Sequence, residues 1–459
     1  MRRTRALRVG QAQENVQAGL ELPAVGPPAA DVEPVFQIAG VGTGTQPGTT
    51  EVSLDSGGNV LITDTDGGDT NDTLTLVVNG ANYRISDVTN QLSAGTGALQ
   101  IDDHTVEVPI ASVTGAEGIV FDTLDGDDTL TIDLSGGAIV HAVDYRAGAG
   151  SGDALAFVGT VGTAQFAFGD LQSGGVVIDG GPQIAYSGLD QGIDAHLTAD
   201  NLSLGYGVDS ETITIADDAA GGWMAVTSGS AQTIRFLNPS QSLQVGGGDG
   251  DDTVTVSSFD GAFAGALLID GETGDDTVIL NAGHVLAADR GLGIAAESIV
   301  GDANAIFSTS GSGSIELSAS RQIVLTGSQL SSEHGGITLW TDQFSTPEGS
   351  GPGSVDAGLH LDGATLTGTG LGAIELRSVG LFDRAGVVLT NGSSITSTGE
   401  VSLYGEFGSE AGVLIEDLQH IEHCLSRMNA QCSTTQFCAA LDDRLENMAL
   451  HVITLSISS

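Results

Sequence analysis

Short runs of apolar residues and threonine, each preceded by a cluster of glycine and aspartate, most constrain the fold of this 459-residue chain. The clearest cluster is Gly247-Gly248-Asp249-Gly250-Asp251-Asp252, which leads directly into Thr253-Val254-Thr255. Alternation of apolar and polar residues is typical of a half-buried β-strand, and Gly and Asp favour the turns between strands. Almost no segment before residue 417 has the spacing of an amphipathic helix. The sequence therefore predicts an all-β chain.

The Gly-Asp clusters recur at a regular spacing. Asp153 follows Asp128, and Asp276 follows Asp252, at nearly the same short interval. The two pairs are related to each other by one nearly constant offset along the chain, which indicates an internal duplication. The short interval fits one coil of a right-handed parallel β-helix, in which equivalent strands pair and equivalent aspartates stack in a ladder. Tandem β-sandwiches remain the alternative fold, because they also contain many short, evenly spaced strands.

Composition agrees with many thin coils and limits the partners. Glycine accounts for 68 residues, whereas aromatic residues make up only 4%, although large layered cores usually rely on them. The formal net charge is −46, so the surface is expected to attract cations and to repel nucleic acid and anionic membranes. No run of about 18 apolar residues is present, so no membrane-spanning helix is predicted.

One stretch matches a known calcium-binding repeat. Residues 247–255 fit, position for position, the nonapeptide G-G-x-G-x-D-x-U-x of hemolysin-type (RTX-like) repeats. Partial matches are centred on four other aspartates, namely Asp72, Asp128, Asp153 and Asp276. Residues 60–285 thus resemble a degenerate array of this family, and the resemblance implies a parallel β-helix with Ca²⁺ bound in its turns. The metal ligands expected on this basis are Asp249, Asp251, Asp252, Asp270, Asp275, Asp276, Asp125, Asp127 and Asp128.

The isolated position of these nonapeptides sets a condition on the calcium site. One loop offers fewer oxygens than the six to eight that Ca²⁺ prefers, so the ligands are expected to come from adjacent coils. The site is complete only if Asp276 stacks beside Asp252. The alternative role of these aspartates is turn formation alone, through side-chain bonds to nearby backbone N–H groups.

A second repeat occupies residues 310–417. Gly358-Leu359-His360-Leu361 is echoed at Gly386-Val387-Val388-Leu389 and again at Gly412-Val413-Leu414-Ile415, at nearly equal intervals. This pattern resembles the filamentous-haemagglutinin-like β-helix of large bacterial surface proteins. The resemblance implies architecture and a surface location rather than any particular site.

The predicted organisation has five parts. They are a disordered arm at 1–50, a first β repeat unit at 51–200, a second β repeat unit with calcium-type turns at 201–300, a haemagglutinin-like β-helix at 301–417, and a helical tail at 418–459. The tail contains His420, His423, Cys424, Cys432 and Cys438, whose spacing matches no familiar zinc finger, so a fortuitous cluster is expected. The basic start of the chain lacks a following apolar segment, so no standard signal peptide is visible; the chain is expected to be a fragment of a larger exported protein, to leave by a C-terminal signal, or to stay inside the cell.

No catalytic residues are predicted. The chain has no lysine, and its central arginines are isolated in sequence: Arg84, Arg146, Arg235 and Arg290. Trp223 and Trp340 are single aromatics that are expected to pack on the coils. The sequence therefore predicts a non-enzymatic secreted or cell-surface protein for adhesion or structure, with a carbohydrate or another surface protein as partner. The alternatives are a secreted β-helical polysaccharide-active enzyme, which requires converging acidic and basic groups, and tandem β-sandwich binding modules.

Overall fold

A computed structural model describes residues 49–65, 70–342, 357–379, 385–406 and 413–415, all within one unit, Pro47–Ser459. The predicted tail at 418–459, with its Cys and His residues, lies outside the described residues, as does the predicted arm up to residue 48. The first strand begins at Thr49, so the last two residues assigned to that arm belong to a strand instead. The reason is pairing, since Thr50 is buried and lies opposite Asp64 and Leu92.

The described residues form 34 strands and one short 3-10 helix, Ile110–Ser112. The first strands are β1 (Thr49–Leu54), β2 (Val60–Asp64), β3 (Thr73–Asn79), β4 (Asn82–Asp87), β5 (Gln91–Ala94), β6 (Leu99–Asp102), β7 (Thr105–Pro109), β8 (Ile119–Asp122), β9 (Thr129–Asp133), β10 (Val143–Arg146), β11 (Ala154–Phe168) and β12 (Gly174–Ile178). The central strands are β13 (Gln183–Ser187), β14 (Ile193–Gly205), β15 (Thr212–Asp217), β16 (Trp223–Thr227), β17 (Ile234–Leu237), β18 (Ser242–Gly246), β19 (Thr253–Val256), β20 (Ala266–Asp270), β21 (Thr277–Leu280), β22 (Val285–Ala288), β23 (Leu292–Gly301) and β24 (Ile306–Ser310). The last strands are β25 (Ile315–Thr326), β26 (Gln329–Ser332), β27 (Ile337–Asp342), β28 (Ala357–Asp362), β29 (Thr365–Gly368), β30 (Ile374–Val379), β31 (Ala385–Thr390), β32 (Ser394–Ser397), β33 (Val401–Glu406) and β34 (Val413–Ile415).

Most strands pair in parallel with their equivalents in neighbouring repeats. Stack 1 contains β3, β9, the first parts of β11 and β14, and β17. Stack 2 contains the second parts of β11 and β14, β18, β20, the first parts of β23 and β25, β27, β30 and β33. Stack 3 contains β15, β19, β21, the second parts of β23 and β25, β28, β31 and β34. A separate parallel sheet contains β22, β24, β26, β29 and β32.

The registers reproduce the spacings seen in the sequence. Ala154 pairs with Thr129, and Thr277 pairs with Thr253, which confirms the interval predicted from the Gly-Asp clusters. Leu359 pairs with Val387, and Val387 pairs in turn with Val413, as the second repeat predicts. The all-β prediction is therefore confirmed, and equivalent repeats lie side by side.

Antiparallel pairing within the described residues joins strands that are near neighbours in the chain. It links β1 to β2, β3 to β4, β4 to β7, β6 to β7, β11 to β12, β12 to β13, β15 to β16 and β16 to β17. These hairpins separate strands that pair in parallel, so they explain why some repeats are longer than others.

The core follows from the alternation along each strand. Strands such as β9, β15 and β19 bury every second residue, as Val254 and Val256 show, while the intervening threonines lie nearer the surface. The buried residues form one continuous cluster made mainly of Val, Ile and Leu, with a few aromatics such as Phe121 and Phe157. Among the described residues, no helix has the length and apolar character needed to cross a membrane.

Candidate metal site

The strand register places the best Gly-Asp turn beside its neighbour. Because Thr253 pairs with Thr277, the residues just before them also lie side by side. The backbone N–H of Asp252 donates to Asp276 Oδ1 at 2.8 Å. The N–H of Glu211 donates to Asp252 Oδ1 at 2.7 Å, and the N–H of Asp276 donates to Glu297 Oε2 at 2.8 Å. We call Glu211, Asp252, Asp276 and Glu297 the second ladder, and the stacking that the calcium site requires is present in it.

An equivalent first ladder precedes stack 1 and consists of Asp72, Asp128 and Asp153. The N–H of Asp72 donates to Asp128 Oδ1 at 2.7 Å, and the N–H of Asp128 donates to Asp153 Oδ1 at 2.8 Å. All three residues are fully buried. Each ladder thus uses one carboxylate oxygen to bind the backbone of the preceding repeat, which satisfies an N–H group just before a strand begins.

The other oxygen of several ladder carboxylates has no partner in the structure. Oδ2 of Asp252 and Oδ2 of Asp276 are buried and accept no hydrogen bond. Each lies against a glycine, since a Cβ added to Gly247 or Gly271 would be 2.5 Å from the Oδ2 of Asp252 or Asp276 respectively. A buried acceptor without a donor is costly, so these oxygens are positioned to bind a cation or an ordered water.

The remaining ligands predicted in the second repeat unit lie elsewhere. Asp249, Asp251 and Asp275 are exposed in the turns, and Asp270 is exposed at the end of β20, so none of the four occupies the inward position before a strand. Asp251 Oδ1 accepts the N–H of Asp275 at 3.0 Å, and Asp249 Oδ1 accepts the hydroxyl of Thr273.

The other two exposed carboxylates have partners away from the buried oxygens. Asp275 forms an ion pair with Arg321, and Asp270 Oδ1 accepts the N–H of Glu272 at 3.1 Å. The structure therefore does not gather the six carboxylates predicted in this unit into one cage. Only Asp252 and Asp276 share the buried ladder, because they alone occupy the position directly before a strand.

The ligands predicted in the first repeat unit are also split between buried and exposed positions. Asp128 belongs to the first ladder, whereas Asp125 and Asp127 are exposed. Asp127 Oδ1 accepts the backbone N–H of Ser151 at 3.0 Å, and the backbone of Asp125 bridges to Ala149. These exposed aspartates bind one turn to the next, which is the turn-forming role that the sequence left open.

Burial raises the pKa of several ladder carboxyl groups. Loss of hydration, with smaller contributions from neighbouring carboxylates, raises the pKa of Asp72, Asp128, Glu211 and Asp276 to about 7. The same cause raises the pKa of Asp153 to about 6. Near neutral pH, neutralisation of the ladder carboxylates by protons or by a bound cation would therefore stabilise the folded chain.

Sequence reasoning missed two members of the second ladder. Glu211 and Glu297 lack the glycines of the nonapeptide, so they were not predicted as site residues. Both do immediately precede strand residues, Thr212-Ile213-Thr214-Ile215 and Ser298-Ile299, whose isoleucines are buried. An acidic residue directly before such a run is the signal that identifies the ladder position.

The described acidic side chains do not by themselves form a complete metal site. Across the described ranges, no set of three or more Asp, Glu, His or Cys side chains is gathered closely enough to hold a metal ion. The two unpartnered oxygens of Asp252 and Asp276 are fewer than the six to eight oxygen ligands that Ca²⁺ takes. Comparisons with protein-family models, curated proteins and solved structures found no match to this chain.

The close packing of Gly247 against Asp252 Oδ2 can be tested directly. Gly247→Ala would place a methyl group against this oxygen and against the Gly271 carbonyl, so we expect the free energy of unfolding to fall by about 2 kcal/mol. The matched control is Gly221→Ala, where a Cβ meets nothing within 4 Å and a change below about 0.5 kcal/mol is expected. Thermal denaturation followed by circular dichroism measures both, and equal effects at the two glycines would contradict the close packing.

Proposed function

We propose that this chain is a non-catalytic secreted or cell-surface repeat protein that serves adhesion or structure. The observation that carries the proposal is the in-register parallel pairing of successive repeats, which stacks Asp252 on Asp276. In this proposal the parallel stacks form the faces of a right-handed β-helix, and each coil contributes one strand to each face. Each coil presents short surface rows of residues, and such repetition suits an extended binding surface.

Calcium stabilises the second ladder in this proposal. Asp252 and Asp276 hold Ca²⁺ through their Oδ2 atoms, with backbone carbonyls and water as the further ligands. Two features support this role: the oxygens are buried without donors, and the residues packed against them, Gly247 and Gly271, have no side chain to cover them. A chain with a net charge of −46 also gains from neutralising carboxylates that are buried together.

The surroundings of four central arginines favour this role over a polysaccharide cleavage in which one of them acts as the base. Arg84 is paired with Glu107, Arg146 with Asp144, and Arg235 with Asp218. Arg290 donates to the side chain of Gln241. A base for proton abstraction must reach its substrate, and guanidinium groups engaged in this way are poorly suited to that role.

Calcium titration tests the proposal directly. On adding Ca²⁺ at about 100 times its dissociation constant to EGTA-treated protein, we expect a stabilisation of about 2.7 kcal/mol, seen as a higher melting temperature. Asp252→Asn and Asp276→Asn should lose this increase, because each removes one charged ligand oxygen. The control Asp103→Asn, at an exposed position in the β6–β7 hairpin, should retain it. A melting temperature that does not respond to Ca²⁺, with no heat of binding by calorimetry, would refute calcium binding.

A further inference from the structure

One surface row of stack 2 differs from the rest of this acidic molecule. Trp340 on β27 pairs with Arg377 on β30, and Arg377 pairs with Tyr404 on β33. These side chains lie on the outer face, because the flanking residues Leu339 and Leu376 are buried. Adjacent strands are about 4.8 Å apart, so two aromatic rings separated by one guanidinium span roughly 10 Å of flat sheet.

The guanidinium contacts both rings and remains accessible. Arg377 Cζ lies 5.6 Å from the centre of the Trp340 ring and 5.4 Å from that of Tyr404. Both distances fit cation–π contacts, which fix the guanidinium between the rings. Trp340 is 40% exposed and Arg377 is also exposed, so the row is open to a ligand. The prediction that Trp340 only packs on a coil does not account for this exposure.

The Arg235–Trp223 pair provides a comparison for the Arg377–Trp340 pair. Arg235 lies over Trp223 at 4.1 Å, and its N–H groups are engaged by Asp218 and Asp194. Arg377, in contrast, forms no hydrogen bond or ion pair with any described residue. Its exposed guanidinium presents N–H donors and a positive charge beside the two rings.

The chemistry of the row identifies a class of ligand. A guanidinium binds a carboxylate through two parallel hydrogen bonds, and aromatic faces pack on the apolar faces of sugar rings. Thr338 and Ser402 lie two residues earlier on β27 and β33, where their hydroxyls face the same side as the row. Glu375 lies between them on β30, so a second negative charge next to the first would be repelled. The row thus favours a single carboxylate on a sugar over a dense polyanion.

We propose that Trp340, Arg377 and Tyr404 bind a saccharide that carries one carboxylate, such as a terminal uronic acid residue. Arg377 binds the carboxylate, and the two rings contact the sugar on either side of it. The inference rests on the proposed adhesive function, for which it names the class of ligand. It does not depend on calcium, because the row lies in stack 2 and contains none of the ladder carboxylates.

The experiment compares two disaccharides that differ only in the carboxylate. Cellobiuronic acid and neutral cellobiose are titrated into the full chain in EGTA and observed by saturation-transfer NMR and calorimetry. We expect the acid to bind at least about tenfold more tightly than cellobiose. Arg377→Met, which keeps the stem but loses the charge and donors, should abolish this preference, and Trp340→Leu should weaken binding of the acid by a similar factor.

The matched control is Arg235→Met, which alters the ion-paired Arg–Trp pair and should leave binding of cellobiuronic acid unchanged. Melting temperatures of all variants establish that each is folded, and Arg377→Lys provides a second test, since it keeps the charge but loses the two-point contact. Equal binding of the two sugars, no binding of either by the folded protein, or loss of binding in Arg235→Met alone would overturn the proposal. Calcium-insensitive melting with selective binding of the acid would instead refute only the calcium role.

Discussion

Replacing Asp252 with alanine is expected to lower the free energy of unfolding by about 3 kcal/mol. The substitution removes the acceptor of the Glu211 N–H, which is bound at 2.7 Å in a site where Asp252 is only 1% exposed. A buried N–H group that loses its acceptor bears the full cost of lost hydration, and the bond lost here is to a carboxylate, which is stronger than a neutral one. Urea denaturation followed by circular dichroism measures the change.

Two variants isolate the cause. Asp252→Asn keeps a side-chain oxygen for the Glu211 N–H and should cost less than about 1 kcal/mol in the absence of Ca²⁺. Asp251→Ala changes the neighbouring exposed carboxylate, whose bond to the Asp275 N–H is 3.0 Å long, and should cost no more than about 1 kcal/mol. If all three variants lost the same stability, the ladder hydrogen bonds would not be the reason.

The calcium-free protein is expected to become less stable as the pH rises from about 4 to about 7. The pKa values of Asp72, Asp128, Glu211 and Asp276 are raised to about 7, from values near 4 in an unfolded chain. Between these limits the folded chain binds more protons than the unfolded chain, so its free energy of unfolding falls with increasing pH. We expect the melting temperature in EGTA to be higher at pH 5 than at pH 8 by roughly 5–10 °C.

Calcium and substitution both provide controls for this pH dependence. Under the proposed calcium role, saturating Ca²⁺ would bind the ionised carboxylates and should raise the melting temperature more at pH 8 than at pH 5. The double variant Asp128→Asn and Asp276→Asn removes one raised pKa from each ladder and should flatten the profile in EGTA. A melting temperature in EGTA that stays constant or rises between pH 5 and pH 8 would show that the ladder carboxyls are not protonated in the folded protein.

The ladder illustrates how far sequence reasoning extends in a repeat protein. Asp252 and Asp276 were paired by their regular spacing, and the register agrees. The links from Asp72 to Asp128 and from Glu211 to Asp252 span longer stretches of chain, because hairpins such as β3–β4 and β15–β16 are inserted between the paired strands. A fixed repeat length cannot predict the positions of strands that follow insertions of variable length. Glu297 was missed for a different reason, since it lacks the preceding glycines of the nonapeptide.

The sequence by itself determined that this chain is all-β, where its Gly-Asp turns fall, and which aspartate in those turns immediately precedes a strand. These features follow from local alternation and from the preference of Gly and Asp for turns. Only the tertiary structure decided which aspartates are buried together and which remain at the surface, since Asp251 and Asp252 are adjacent in sequence but face opposite environments. It also decided that Trp340, Arg377 and Tyr404 form one row, because contacts between paired strands depend on register across the sheet and not on proximity along the chain.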